Sequence, residues 1–253
     1  MYPHPGSSLG QSMIEIRNLY KTFGSLKVLD GLTLTVKKGE TFSVLGKSGT
    51  GKSVTLKCIV GLLAADAGDI FVDSVRVDLR DRKSLFSIRQ MIGFLFQSGA
   101  LYDSMSIRDN LIFNLTRHHK VRHNEADEKA VHYLTLVGLG RSVYKMPSEL
   151  SGGMRKRAAL ARALVIEPRI LLYDEPTTGL DPITSAEISD LIREMHSKFG
   201  ITGIVVTHDI LCAGIVSDRA GVLKDGVLKY TGTLNELAET RDEDVKGFFR
   251  NPL

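Results

Sequence analysis

The sequence has no tryptophan, only two cysteines and no long apolar segment. Cys58 and Cys212 both lie in apolar runs, which predicts buried thiols in a reducing cytosol and excludes a disulfide scaffold. No apolar run approaches the roughly 18 residues that cross a bilayer, which excludes a membrane-spanning helix. The net charge of +4 over 253 residues is too small to indicate nucleic-acid binding, although it suits the anionic inner face of a membrane.

What remains is typical of a globular domain. Residues 1–12 lack the basic and then apolar pattern of a signal peptide, and we expect a disordered tail there. From Met13 to the end, strand and helix patterns alternate without a repeat or a long linker. Runs such as "TFSVLG" and "RILLYDE" predict buried strands, and Asp225-Gly226 predicts the turn of a hairpin. The alternation predicts an α/β fold around a parallel sheet.

The first chemical motif is "GKSGTGKS", from Gly46 to Ser53. It matches the P-loop pattern and stands between a predicted strand and a predicted helix. Its glycines leave backbone N–H groups free to surround a phosphate, and Lys52 neutralises phosphate oxygens. The hydroxyl of Ser53 is a suitable ligand for Mg²⁺. The motif predicts a nucleoside triphosphate site.

The second motif is "ILLYDEPTTGLDP", which begins at Ile170. Its apolar run places Asp174 at the carboxyl end of a core strand, where open α/β sheets bind ligands. Asp174 suits Mg²⁺ held through water, and Glu175 is free to polarise an attacking water. Adjacent carboxylates at a strand end are often only a helix cap, so the P-loop in the same chain supports the catalytic interpretation.

The third motif is "LSGGMRKRAALARAL", which begins at Leu150. The Ser151 hydroxyl and the free amides of Gly152 and Gly153 predict a second anion site at a helix N-terminus. Apolar residues recur at helical spacing behind it, and four basic residues lie off that stripe: Arg155, Lys156, Arg157 and Arg162.

These three motifs resemble the ATP-binding subunits of ABC transporters, and the resemblance covers the chain from about Met13. It implies ATP and Mg²⁺ as cofactors. It also implies a P-loop NTPase core with an antiparallel β subdomain and a helical signature subdomain at about 98–168. Short helices at about 232–253 would close a single domain of residues 13–253.

Four further residues fall in the order and spacing of this family's motifs. Gln97 resembles the Q-loop glutamine, Asp181 in "TGLD" the D-loop aspartate, and His208 in "VVTHD" the H-loop histidine. Phe23 in "KTFG" takes the place of the aromatic ring that stacks on adenine, with Tyr20 as the alternative. Each residue alone would more often be structural; their shared order supports the functional assignment.

The resemblance assigns three sets of site residues. Catalysis falls to Glu175, His208 and Gln97, and metal binding to Ser53, Gln97 and Asp174. Nucleotide binding falls to Phe23, Gly46, Lys47, Ser48, Gly49, Thr50, Gly51, Lys52, Ser53, Val54, Ser151, Gly152, Gly153 and Asp181. Val54 departs from the family's usual threonine, which predicts a modest loss of affinity.

In this family two copies pair head to tail, so the signature sequence of one copy faces the P-loop of the other. This arrangement accounts for two anion sites in one chain. The resemblance further implies integral membrane permease subunits as partners, no nucleic acid, and a peripheral position on the cytoplasmic face of the inner membrane.

The stretch "FQSGALYDSMS" resembles the ATPases of MCE-type lipid transporters, including the Mla phospholipid system, and so do "GKSV" and the C-terminal tail. It implies a phospholipid or related cargo and Mla-type components. Leu101, Tyr102, Met105 and Ile107 are expected to line a groove for a permease helix.

Three alternatives stay open. The first is the ATPase of another ABC transporter, for an amino acid or other small solute. The second is a non-transport ABC ATPase, although the 52 residues between Gln97 and Leu150 hold no heptad pattern for a long coiled coil. The third is a regulatory module without turnover, which the presence of Glu175 and His208 disfavours.

Overall fold

The computed structural model describes residues 11–118 and 120–250. Residues 1–10 of the expected tail lie outside the described residues. Ser12, which we assigned to that tail, is instead the first residue of a strand. It pairs with Lys37 of the next strand, because the alternating pattern of the first strand extends one residue further than we expected.

The strands are β1 (Ser12–Phe23), β2 (Leu26–Lys37), β3 (Thr41–Leu45), β4 (Ala67–Val72), β5 (Val75–Arg76), β6 (Ile92–Leu95), β7 (Ile170–Asp174), β8 (Thr202–Thr207), β9 (Arg219–Lys224) and β10 (Val227–Gly232). The α-helices are α1 (Lys52–Ile59), α2 (Arg82–Gln90), α3 (Ile107–His118), α4 (His123–Leu136), α5 (Gly152–Leu164), α6 (Pro182–Phe199), α7 (Ile210–Val216), α8 (Leu234–Glu239) and α9 (Glu243–Arg250).

Two sheets organise these elements. The four-stranded sheet has the order β2-β1-β4-β5 and is antiparallel. The six-stranded sheet has the order β10-β9-β3-β8-β7-β6, and its strands are parallel from β9 to β6. This α/β architecture with a separate antiparallel sheet confirms the predicted fold class.

The parallel sheet is buried on both faces, which accounts for its continuous apolar strands. In β7, Leu171 and Tyr173 join the core on the side of helices α3–α6, whereas Ile170 and Leu172 join the core shared with the antiparallel sheet. The period of two along the strand thus divides neighbouring residues between two cores. No helix among the described residues is long and apolar enough to cross a membrane.

Several features of the fold differ from the sequence-based expectation. "DIFVDSVRV" forms a hairpin rather than one strand, because Asp73 and Ser74 both take positive φ values, 48° and 67°. Helix α2 was missed, although Asp81 accepts hydrogen bonds from the N–H groups of Lys83 and Ser84 and caps it. The predicted hairpin turn at Asp225-Gly226 is confirmed by the β9–β10 pairing.

Helices α3, α4 and α5 lie in the chain between β6 and β7, two strands that pair directly. They pack on one another and on the sheet through a shared apolar core. This excursion carries the LSGGM motif at the start of α5 and places the motif away from the strands that precede and follow it.

Candidate nucleotide site

Most of the predicted site residues lie at one edge of the parallel sheet. The P-loop follows β3, Gln97 lies just beyond β6, Glu175 follows β7, and His208 follows β8. Since parallel strands end at the same edge, side chains far apart in sequence meet there. A cavity of about 540 Å³ opens at this edge, and its lining includes Lys52, Ser53, Gln97, Glu175 and His208.

The P-loop wraps around the ammonium group of Lys52. The side chain of Lys52 is buried, and its Nζ donates to the carbonyl oxygens of Gly46 and Lys47 at 2.6 and 2.9 Å. Gly51 takes a φ of +101°, and a Cβ there would lie 2.9 Å from Val28. Only glycine fits this position, which immediately precedes α1.

Ser53 and Asp174 form a direct pair. The Ser53 hydroxyl donates to Oδ1 of Asp174 at 2.7 Å, and Asp174 is buried at the end of β7. A hydroxyl and a carboxylate side by side are hard oxygen ligands of the kind that Mg²⁺ prefers. The described residues contain no group of three or more His, Cys, Asp or Glu suited to a metal. A pair of oxygens fits an ion that takes its other ligands from phosphate and water.

Glu175 is the most constrained residue of the site. It is buried and takes a φ of +50°, in the left-handed region that non-glycine residues rarely adopt. Its Oε1 lies 3.3 Å from Nζ of Lys52. The hydroxyls of Thr178 and Thr207 each donate to Oε2 at 3.3 Å. These contacts fix the carboxylate beside the lysine of the P-loop.

His208 approaches the same carboxylate. Its Nδ1 lies 2.8 Å from Oε2 of Glu175, and the half-exposed ring also lines the cavity. The resemblance predicted a role for His208 towards phosphate and water. The structure adds a direct contact with Glu175 that the sequence alone did not indicate.

The two candidate aromatic rings lie outside the lining of this cavity. Phe23 ends β1 with a ring that is 48% exposed, and Nζ of Lys21 lies 5.4 Å from its centroid. The Tyr20 ring is partly exposed and packs over Gly31 of β2. Phe23 presents the freer face, and its role in adenine stacking stays a prediction.

The LSGGM residues lie apart from the P-loop cavity. Ser151 is exposed and caps α5, because its hydroxyl accepts a hydrogen bond from the Met154 N–H at 3.3 Å. A Cβ at Gly153 would lie 2.6 Å from Thr184, and one at Gly152 would lie 3.1 Å from Leu180. The two glycines therefore let the start of α5 approach the segment that follows β7.

Asp181 has a structural task in this segment. Its carboxylate accepts from the N–H groups of Ile183 and Thr184 and from the Thr184 hydroxyl, which caps α6. The hydrogen bonds from Thr184 lower the pKa of Asp181. The role of Asp181 at an interface between copies stays a prediction. Its contacts within the chain are those of a helix cap.

One of the four residues expected to line a permease groove, Ile107, is instead part of the core. Ile107 is fully buried in the core and Leu101 packs against it, whereas Tyr102 is 42% exposed. Ile107 is the first residue of α3 and faces the core. The apolar pattern of the loop and the helix start did not distinguish this position from an exposed one. A cavity of about 380 Å³ nearby is lined instead by residues that include Phe86, Arg89, Phe94, Phe96, Asn114 and Arg162.

Sequence reasoning also missed Lys156. We placed it among the basic residues off the apolar stripe of α5, but its side chain is buried and its Nζ donates to the backbone carbonyls of Gln97 and Glu175. The apolar period of the helix did not indicate that Lys156 is buried. Lysine is rarely buried in proteins, so a lysine off the apolar stripe is expected to face solvent.

A phosphate-binding loop, a Ser–Asp pair and a constrained glutamate at the edge of a parallel sheet define a P-loop ATPase. The family model described as "ABC transporter" matches residues 29–178. The chain belongs to the ABC transporter family, and it is an ATP-binding, ATP-hydrolysing member of it.

Individual relatives agree with this assignment. The "Probable ribonucleotide transport ATP-binding protein mkl" of Mycobacterium tuberculosis is 44% identical over 246 residues, which cover 97% of this chain and 68% of that protein. The "Intermembrane phospholipid transport system ATP-binding protein MlaF" of Haemophilus influenzae is 37% identical over 242 residues, covering 96% and 92%. The dimeric ATP-binding cassette MJ0796, solved with ADP and Pi, has a TM-score of 0.80 at 33% identity and covers 88% of this chain and 99% of its own.

Proposed function

We propose that this chain is the ATPase subunit of an MCE/Mla-type phospholipid transporter and acts at the cytoplasmic face of the inner membrane. The observation that carries the ATPase part is the convergence of Lys52, Ser53, Asp174 and Glu175 within hydrogen-bond or ion-pair distance. The lipid part is supported by "FQSGALYDSMS" and by a relative whose name specifies intermembrane phospholipid transport.

The P-loop residues bind the phosphates of ATP in this proposal. The amides from Gly46 to Val54 surround the chain of phosphates, and Lys52 neutralises the charge on the β and γ oxygens. Ser53, Asp174 and Gln97 would hold Mg²⁺, which supplies positive charge to the phosphate oxygens when bound. Phe23 contributes an exposed ring for the adenine.

Glu175 is the residue that orients and deprotonates water. A carboxylate acts as a base when it is fixed within reach of the proton it accepts. Its neighbour at 3.3 Å is the ammonium of Lys52, so a phosphate bound by Lys52 lies beside it. His208 holds the second carboxylate oxygen and therefore sets the direction in which the first one points.

A second copy of the chain completes the site. Ser151, Gly152 and Gly153 stand at the N-terminus of α5, outside the P-loop cavity of their own chain, and Ser151 is exposed there whereas Gly153 is buried. Such an N-terminus attracts anions, so it suits the nucleotide of a partner copy bound head to tail. Asp181 belongs to the same face. The dimeric state of the related cassette MJ0796 supports this arrangement.

Permease subunits are the proposed membrane partners. Tyr102 is exposed at the end of the segment that follows Gln97, and Arg162 lies 5.6 Å from its ring centroid. Tyr102→Asp should weaken binding to the permease and leave ATP binding intact, because the change lies outside the nucleotide cavity. Tyr144→Asp is the matched control, since Tyr144 is another exposed tyrosine in the helical excursion. Co-purification with permease subunits measures both variants.

The cargo is tested separately. Cells that carry Lys52→Ala should show an altered distribution of phospholipid between membranes, whereas ribonucleotide uptake should be unchanged. The name of the M. tuberculosis relative favours ribonucleotide as the competing cargo. Altered ribonucleotide uptake with normal lipid distribution would support that cargo, and purification with an amino-acid permease would support the small-solute alternative.

A further inference from the structure

The feature that the proposed mechanism leaves unexplained is the buried lysine of α5. Lys156 is 7% exposed, four residues from the start of the helix. Removing an ammonium group from water is costly, and burial lowers the pKa of Lys156 even though Asp174 and Glu175 oppose that shift. A lysine retained in such a place needs partners that compensate for the lost water.

Its partners are two backbone carbonyl groups at the catalytic edge. Nζ donates to the carbonyl oxygen of Gln97 at 2.7 Å and to that of Glu175 at 3.2 Å. One side chain therefore joins the end of the β6 segment to the end of β7.

Glu175 is the residue for which such support matters most. Its φ of +50° is a strained conformation for a residue with a Cβ. Its N–H donates to the carbonyl oxygen of Val206 at 2.9 Å, and its own carbonyl accepts from Lys156. The main chain of Glu175 is thus held on both sides, which directs the side chain towards Lys52 and His208.

The Gln97 segment rests on the same helix. Gly99 takes a φ of +82°, and a Cβ there would lie 3.4 Å from Cβ of Ala159 on α5. The loop after Gln97 therefore packs directly on the helix that carries Lys156. Helix α5 begins at the LSGGM residues, so Gly152 and the lysine that contacts the two carbonyls are on the same helix.

We propose that Lys156 is a positioning residue that couples the LSGGM helix to the catalytic carboxylate by holding the carbonyls of Glu175 and Gln97. The inference rests on the proposed role of Glu175. A change in the position of the helix N-terminus then reaches the Glu175 carbonyl through the Lys156 ammonium group, so contact with a partner copy's nucleotide affects the geometry of this copy's own base.

The test compares Lys156→Met with Lys156→Arg and with Arg157→Met. Met keeps the aliphatic volume and removes the donors, whereas Arg keeps charge and donors. Arg157 is the neighbouring cation on α5 and donates instead to Val137 and Glu187. In steady-state ATP hydrolysis, Lys156→Met should lower kcat by roughly 10- to 100-fold with little change in KM, because a displaced catalytic group loses rate of that order. Lys156→Arg should recover part of the loss, and Arg157→Met should leave kcat near the parent value.

A double variant separates positioning from folding. If Lys156 acts through Glu175, Lys156→Met should have almost no further effect on kcat in a Glu175→Gln background. A full additional loss in that background, or a normal kcat in a folded Lys156→Met protein, would overturn the proposal. A lower thermal midpoint with kcat per folded molecule unchanged would also overturn it. Loss of hydrolysis in Glu175→Gln itself tests the proposed function and is read independently.

Discussion

The P-loop and the LSGGM loop are both glycine-rich and both stand at the N-terminus of a helix, yet their surroundings differ. Around the P-loop, Lys52 and Asp174 are buried and each has a partner within the chain. At the LSGGM loop, Ser151 is exposed and its hydroxyl caps its own helix. The comparison shows that the first loop lines a cavity of its own chain, whereas the second lies outside that cavity; in the proposed function the second loop binds the nucleotide of a second copy.

The largest effect is expected when the proposed catalytic base is removed from the P-loop cavity. Glu175→Gln keeps the shape of the side chain but removes its charge, its ion pair with Lys52 and its ability to accept a proton, so turnover should fall about 10²- to 10⁴-fold. ATP binding should persist through Lys52. Size-exclusion chromatography with ATP should then show an accumulated dimer, and near-normal turnover would remove Glu175 from the mechanism.

The next largest effect is expected from a change in the LSGGM loop. Gly152→Asp places a carboxylate where a partner copy's phosphate would lie, and such like-charge contact costs several kcal/mol, or about 100-fold or more in dimer affinity. ATP binding by the monomer, followed by fluorescence titration, should be unchanged. Gly152→Ala is the control, because it adds the same Cβ near Leu180 without the charge. Normal ATP-dependent dimers of the Asp variant would contradict the shared-site arrangement.

His208→Ala should have a smaller effect than Glu175→Gln. It removes the contact with Oε2 of Glu175 but leaves the two threonine hydroxyls in place, so we expect a loss of about 10- to 100-fold in kcat. The measurement is the ratio of the kcat of His208→Ala to that of Glu175→Gln in the same assay. A loss as large as that of Glu175→Gln would mean that the histidine has a role beyond orientation.

The smallest expected effect restores the family's usual residue in the P-loop. Val54→Thr adds a hydroxyl beside the phosphates, which should tighten ATP binding by about 1 kcal/mol or less, or roughly five-fold at most. Calorimetric titration of both proteins measures it. Val54 is partly buried against the core, so the thermal midpoint should be recorded as well. Weaker ATP binding by a stable variant would contradict the expected contact.

The sequence predicted the fold class, the position of the P-loop and the ends of β6, β7 and β8 well, because glycine spacing and apolar runs are local features of the sequence. It did not predict that Lys156 is buried, because the burial depends on how α5 packs against the segments that follow the paired strands β6 and β7. It assigned Ile107 to a groove, whereas tertiary packing buries it. Helix α7 was missed because its sequence is almost entirely apolar, without the polar face that gives a helical period.

The direct pairing of β6 with β7 has a consequence for how this molecule diversifies. The register from Ile92↔Ile170 to Leu95↔Tyr173 is fixed by the two strands and does not depend on how long the intervening chain is. Changes of length or sequence in α3 and α4 can therefore alter the surface offered to other subunits without displacing the paired strands, whereas α5 is less free to change because Lys156 contacts the segments that follow both strands. The first part of the excursion can thus vary separately from the nucleotide site.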